Sequence, residues 1–145
     1  GNLAYAAPAP ATWFNSATGY GTLGYALPAA IGAALAEPAR PVVCLVGDGG
    51  LHYTLGELAS LRQTGVPVIV LVWNNRSFGE IRTAMTAQGI TPAGVDLATP
   101  DFTTLAAAYG LDAARPDSTQ ALVDAVKRAA EAGTPALIAF DEDLV

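Results

Sequence analysis

The sequence predicts an α/β domain: a doubly wound parallel sheet with helices on both faces. Three observations carry this. Val42–Val46 and Val68–Trp73 are short, continuous apolar runs rich in β-branched residues, the pattern of strands buried on both faces. Helical patterns alternate with such runs along the chain, as βαβ units require. Finally, 145 residues that are 52% apolar, with mean hydropathy +0.36, suffice for one core and are short for two ordinary domains. Residues 1–145 therefore read as a single domain.

Taken in order, the chain carries no charged side chain before Glu37. The most apolar part, residues 23–36, is interrupted by Gly24, Pro28 and Gly32. It falls short of the roughly 20 apolar residues of a membrane span and has no basic flank of a signal peptide. A buried helix fits better, and no membrane partner is expected. After the strand at Val42–Val46, Thr54-Leu55-Gly56-Glu57 matches a capping box. Leu55, Leu58, Ala59 and Leu61 follow on one helical face, ended by Gly65 and Pro67. Beyond the strand Val68–Trp73, residues 89–100 form a long loop holding Pro92, Gly94 and Pro100, a length typical of functional lids. Asp101–Tyr109 and Thr119–Ala132 read as helices, the second with Leu122, Val126 and Ala129 inward. Leu111–Ala114 is a weak strand and Ala136–Phe140 a stronger one.

Composition excludes several functions. Such an apolar chain is not disordered. Seven basic residues against thirteen acidic ones, net −6, cannot neutralise many phosphates, so nucleic acid is not a partner. The single cysteine, Cys44, has no disulfide partner, which makes a reducing cytoplasm the expected compartment.

The chemistry gathers where strands end. In open parallel sheets, ligands bind outside the carboxyl ends of the strands. One strand runs into Gly47-Asp48-Gly49-Gly50 and the next into Asn74-Asn75-Arg76-Ser77. Either cluster alone reads as a turn; two on successive strands face one crevice. A carboxylate, an amide oxygen and loop carbonyls make a hard-oxygen set with one formal charge, suited to Mg²⁺. The glycines admit an anion close to the backbone, and a helix starting near Thr54 would point its positive end there. The residues thus describe a metal-bridged diphosphate site.

Gly47-Asp48-Gly49 and Asn74-Asn75, separated by residues 50–73, resemble the cofactor signature of thiamine diphosphate-dependent enzymes. Upstream, residues 21–32 (Gly-Thr-Leu-Gly-Tyr-Ala-Leu-Pro-Ala-Ala-Ile-Gly) resemble the preceding segment in the acetolactate synthase, benzoylformate decarboxylase and pyruvate oxidase group. The resemblance implies thiamine diphosphate and Mg²⁺ as cofactors, with Asp48, Asn75 and the Ser77 carbonyl as metal ligands. It implies Gly47, Gly49, Gly50, Phe78 and Gly79 around the diphosphate. Gly21, Thr22 and Leu23 would lie along the aminopyrimidine side, Leu23 beneath the bent cofactor. It further implies a 2-oxo acid decarboxylase or an acetolactate synthase-like carboligase. There the activating glutamate comes from a pyrimidine-binding domain of a neighbouring chain in a homodimer or homotetramer. No catalytic residue is expected within these residues. The chain would be the C-terminal part of a longer protein, inactive alone, with an apolar surface normally covered. The alternatives are a separate subunit of a split enzyme or a non-catalytic cofactor-binding module.

Three weaker features remain. Gly19 to Gly24 matches G-x-G-x-x-G, but a dinucleotide site needs a strand before it, and Trp13 to Thr18 is a poor one. His52, the only histidine, reads as a loop residue more readily than as a substrate contact. Glu80 and Arg82 order the diphosphate loop or form a solvated pair.

Overall fold

A computed structural model describes residues 12–16 and 19–144. Four parallel strands form one sheet: β1 (Val42–Gly47), β2 (Val68–Asn74), β3 (Asp112–Ala114) and β4 (Ala136–Asp141), in the order β1-β2-β4-β3. The helices are α1 (Ala26–Ala36), α2 (Asp48–His52), α3 (Glu57–Thr64), α4 (Gly79–Ala87), α5 (Phe102–Ala108) and α6 (Thr119–Ala132). The doubly wound α/β prediction therefore holds. Of the segment Trp13 to Thr18, Ala17 and Thr18 lie outside the described residues, and Trp13 to Asn15 form no strand.

Alternation along the central strands sorts side chains between two unequal layers. Val68, Val70 and Val72 of β2 join Leu27, Leu51, Leu58 and Phe102 in the larger core, packed by α1, α2, α3 and α5. Full burial of one such leucine stabilises by about 1.5–3 kcal/mol. On the opposite face Ile69 and Ile138 meet Ala125 of α6, flanked by Leu122, Val126 and Ala129, the inward stripe anticipated for that helix. Helix α6 covers β2 and β4; at the edge strand β1, Val43 is half exposed. Cys44 points into the larger core, where burial pushes its thiol up to about 12.

Helix ends follow local chemistry. Pro28 sits in the first turn of α1, where its missing N–H breaks no bond. The Asp101 carboxylate accepts from Thr104 N–H (2.7 Å) and the Ser118 hydroxyl from Ala121 N–H (3.2 Å), capping α5 and α6. The capping box at Thr54 does not form. Helix α3 begins at Glu57 with no side-chain cap, and the Thr54 hydroxyl instead donates to the Gly24 carbonyl at 3.0 Å. Two helices, α2 and α4, appear where the sequence suggested a turn and a diphosphate loop. Among the described residues, no helix is long and apolar enough to cross a membrane.

Candidate functional site

Parallel register sets Gly47 opposite Trp73, so Asp48 and Asn74 leave the sheet side by side. Asp48 opens α2, directly at the strand end; the helix start expected near Thr54 lies further along the chain. Asp48 is 1% exposed, and its Oδ2 is buried without a hydrogen-bond partner. A buried carboxylate oxygen without a partner is costly. On the neighbouring strand end Asn74 is also buried; its Nδ2 donates to Asp141 (2.6 Å) while its Oδ1 lacks a partner.

The following residues turn back over this end. Asn75 Oδ1 accepts from Ser77 N–H at 3.1 Å, leaving the oxygen's second lone pair available. Arg76 adopts φ +55°, a left-handed conformation that costs a side-chain-bearing residue about 1–2 kcal/mol. Among the described residues, no backbone N–H donates to the Ser77 carbonyl. Phe78 lies over Gly49: a Cβ on Gly49 would come within 2.8 Å of the Phe78 ring and 3.1 Å of Leu97 Cδ1. Only glycine permits that approach. A Cβ on Gly79 would likewise meet Asn75 Nδ2 at 2.9 Å. The two motifs, 26 positions apart from Gly49 to Asn75 in the sequence, thus form one packed unit. Gly50 packs tightly on Val46: an added Cβ would lie 3.3 Å from Val46 Cγ2.

The upstream turn reaches the same unit. Gly24, at φ +83°, sits where a Cβ would lie 2.8 Å from Thr54 Cγ2 and 2.9 Å from Tyr53 Cβ. The Tyr53 ring is 6.4 Å from Phe78, edge to face. Gly21 is held by its N–H to Ser16 O at 2.9 Å, and Leu23 is half exposed. Gly21, Thr22 and Leu23 are exposed and lead directly into Gly24.

Several residues escaped the sequence reading. The long loop expected as a lid is docked. Phe78 N–H donates to Val95 O (2.9 Å), Leu97 N–H to Arg76 O (2.8 Å), and Val95 is buried. Arg82 pairs with Asp96 and Ser77, not with Glu80. His52 ends α2 with its ring 6.4 Å from Phe102, so it serves α5 packing. Tyr53 and Thr54 had no local signal beyond the failed capping box. A second carboxylate, Asp141, collects Asn74, Arg115 (2.7 Å) and Arg76 (3.5 Å). The Arg115 hydrogen bond foremost, with help from Asn74, holds its carboxyl below the usual range.

No group of three or more His, Cys, Asp or Glu suited to a metal occurs among the described residues. Asp48 Oδ2 is one buried carboxylate oxygen, and the turn after β2 carries the neutral oxygens of Asn75 and Ser77. One carboxylate with neutral oxygens is the make-up that Mg²⁺ takes when phosphate oxygens and water complete its shell.

Comparison with known proteins follows the same line. The family described as "Thiamine pyrophosphate enzyme, C-terminal TPP binding domain" matches residues 1–140. The probable 2-ketoarginine decarboxylase of Pseudomonas aeruginosa is 48% identical over 84% of this chain and 22% of its own length. A probable acetolactate synthase large subunit of Methanococcus aeolicus is 34% identical over 90% of this chain and 22% of its length. Benzoylformate decarboxylase of Pseudomonas aeruginosa is 35% identical over 89% and 24%. The chain spans about a fifth to a quarter of the curated relatives it matches.

Proposed function

Because the chain belongs to the thiamine pyrophosphate enzyme family, as its C-terminal cofactor-binding domain, we propose that it holds thiamine diphosphate through Mg²⁺ at the β1 and β2 ends. The observation that carries this is Asp48 Oδ2, buried and unpartnered beside a glycine cradle. A cation there would compensate the buried charge. Asp48, Asn75 and the Ser77 carbonyl hold the metal. Gly47, Gly49, Gly50, Phe78 and Gly79 border the diphosphate, and Gly21, Thr22 and Leu23 border the pyrimidine side.

When bound, the cofactor supplies a carbanion nucleophile and an electron sink for removing CO₂ from a 2-oxo acid. This chain's residues anchor and orient. Gly49, lacking a Cβ, lets Phe78 close over the cradle, and Asp48 fixes the cation. No group here is assigned proton transfer on the cofactor; an activating glutamate belongs to a pyrimidine-binding domain of a neighbouring chain. The domain is thus the C-terminal part of a longer cytoplasmic homodimer or homotetramer. The whole protein is a 2-oxo acid decarboxylase or acetolactate synthase-like carboligase. The 48% identity to a 2-ketoarginine decarboxylase, against 34% and 39% to two acetolactate synthases, supports the decarboxylase over the carboligase.

Titrating thiamine diphosphate with and without Mg²⁺, while following Trp13 and Trp73 fluorescence, tests the reading. Saturable binding that requires Mg²⁺ supports it. Saturable NAD⁺ binding without a Mg²⁺-dependent thiamine diphosphate response overturns it.

A further inference from the structure

The cation-binding turn is held in place by residues outside the signature. Ser77 offers its carbonyl from a turn whose preceding residue, Arg76, is left-handed. Such a conformation persists when its surroundings over-determine it. Here the surroundings are residues 95–97. An antiparallel bridge joins Ser77 to Asp96, flanked by the Phe78–Val95 and Leu97–Arg76 backbone bonds. The Ser77 hydroxyl donates to Val95 O at 2.9 Å and accepts from Arg82 Nε at 3.1 Å. The same guanidinium pairs with the Asp96 carboxylate. One arginine therefore grips both strands of the bridge, and Leu97 of this strap presses on Gly49.

We propose that Arg82 and Asp96 are positioning residues for the cation: they clamp residues 95–97 onto 76–78, fixing the direction of the Ser77 carbonyl and of the turn that carries Asn75. This rests on the metal reading above. The Arg82–Asp96 pair is largely exposed, with side-chain exposures of 40% and 81%, and exposed pairs add little to folding. Their effect is on geometry. Positioning groups behind metal ligands typically change metal affinity about 10–100-fold.

The test uses the full-length protein. Arg82→Ala should raise the Mg²⁺ concentration for half-maximal thiamine diphosphate retention by about 10-fold. Hydrogen exchange at the Phe78 and Leu97 amides should quicken in the cofactor-free protein, with its thermal midpoint unmoved. Arg82→Lys, which keeps a charge opposite Asp96 but has no Nε–H for Ser77, should fall between. A wild-type protein whose retention ignores Mg²⁺ overturns the cation reading and this proposal with it. A normal wild-type response that Arg82→Ala leaves unchanged overturns this proposal alone. Full recovery in Arg82→Lys would overturn the Ser77 contact as the cause.

Discussion

Two carboxylates stand at the same edge of the sheet and meet opposite fates. Asp141, at the end of β4, is surrounded by its own donors, from Asn74, Arg76 and Arg115. Asp48, just past β1, is more deeply buried and has an oxygen that nothing among the described residues satisfies. The first is a closed polar cluster that ties β2, β3 and β4 together. The second carries a buried oxygen without a partner among the described residues, next to Gly49, whose missing Cβ lets Phe78 and Leu97 pack close. Two arginines neutralise the first carboxylate; the proposed function assigns the second to a cation from outside.

The sharpest attempt to break this contrast is Asp48→Asn. Mg²⁺-dependent retention of thiamine diphosphate should fall at least about 100-fold, exceeding the usual effect of residues behind the ligands. The cofactor-free protein should melt about 3 °C higher, since a lone buried charge is removed. Calorimetry and thermal melts check the two arms, and unchanged retention would erase the distinction. Next, Gly49→Ala forces a methyl against Phe78. It should destabilise by about 1–3 kcal/mol, as overpacking does, read from urea unfolding; an unaffected midpoint would mean the cradle is loose.

At the other end the effects are smaller. Asp141→Ala should cost about 1 kcal/mol in urea unfolding while leaving the Mg²⁺ requirement within about threefold, because its two arginine partners are largely exposed and the main loss is the Asn74 hydrogen bond. A shift as large as that of Asp48→Asn would make the two ends one site. Smallest is Asp101→Asn. The Thr103 hydroxyl first, then the Thr104 N–H, hold the Asp101 carboxyl at about 2, against 3.8 ordinarily. A lowered carboxylate contributes fully above its unfolded value and loses that contribution as pH falls through the folded one. Wild type should therefore lose thermal midpoint between about pH 4 and pH 2. Asparagine, which caps without titrating, should flatten that slope; an identical slope would remove Asp101 as its source.

What the sequence made legible was whatever depended on neighbours along the chain. Val42–Val46 and Val68–Trp73 read as buried strands because their burial is continuous, and Thr119–Ala132 read as a helix because Leu122, Val126 and Ala129 recur on one face. The glycine and asparagine motifs were visible for the same reason. What failed depended on distance. The Thr54 hydroxyl had a local partner on offer and chose a carbonyl 30 residues away. Helix α2 contains two glycines in five residues, against their propensity, and is held by Leu51 in the core. Helix α4 has no buried residue, hence no stripe to detect. The strap at residues 95–97 is largely a backbone pairing, which side-chain pattern does not encode. Nor does any local signal place β4 between β2 and β3.

Cys44 gives the molecule a clock. A single thiol held up to about 12 within the larger core carries almost no thiolate at neutral pH, and thiolate is the reactive form. Alkylation must then wait for β1 to part from α1 and α2. With reagent in excess, the labelling rate counts those openings directly, one event per chain. Ligands that bind only the closed form slow such openings in proportion to their saturation. The same thiol would therefore time how firmly a bound cation and diphosphate hold the sheet shut.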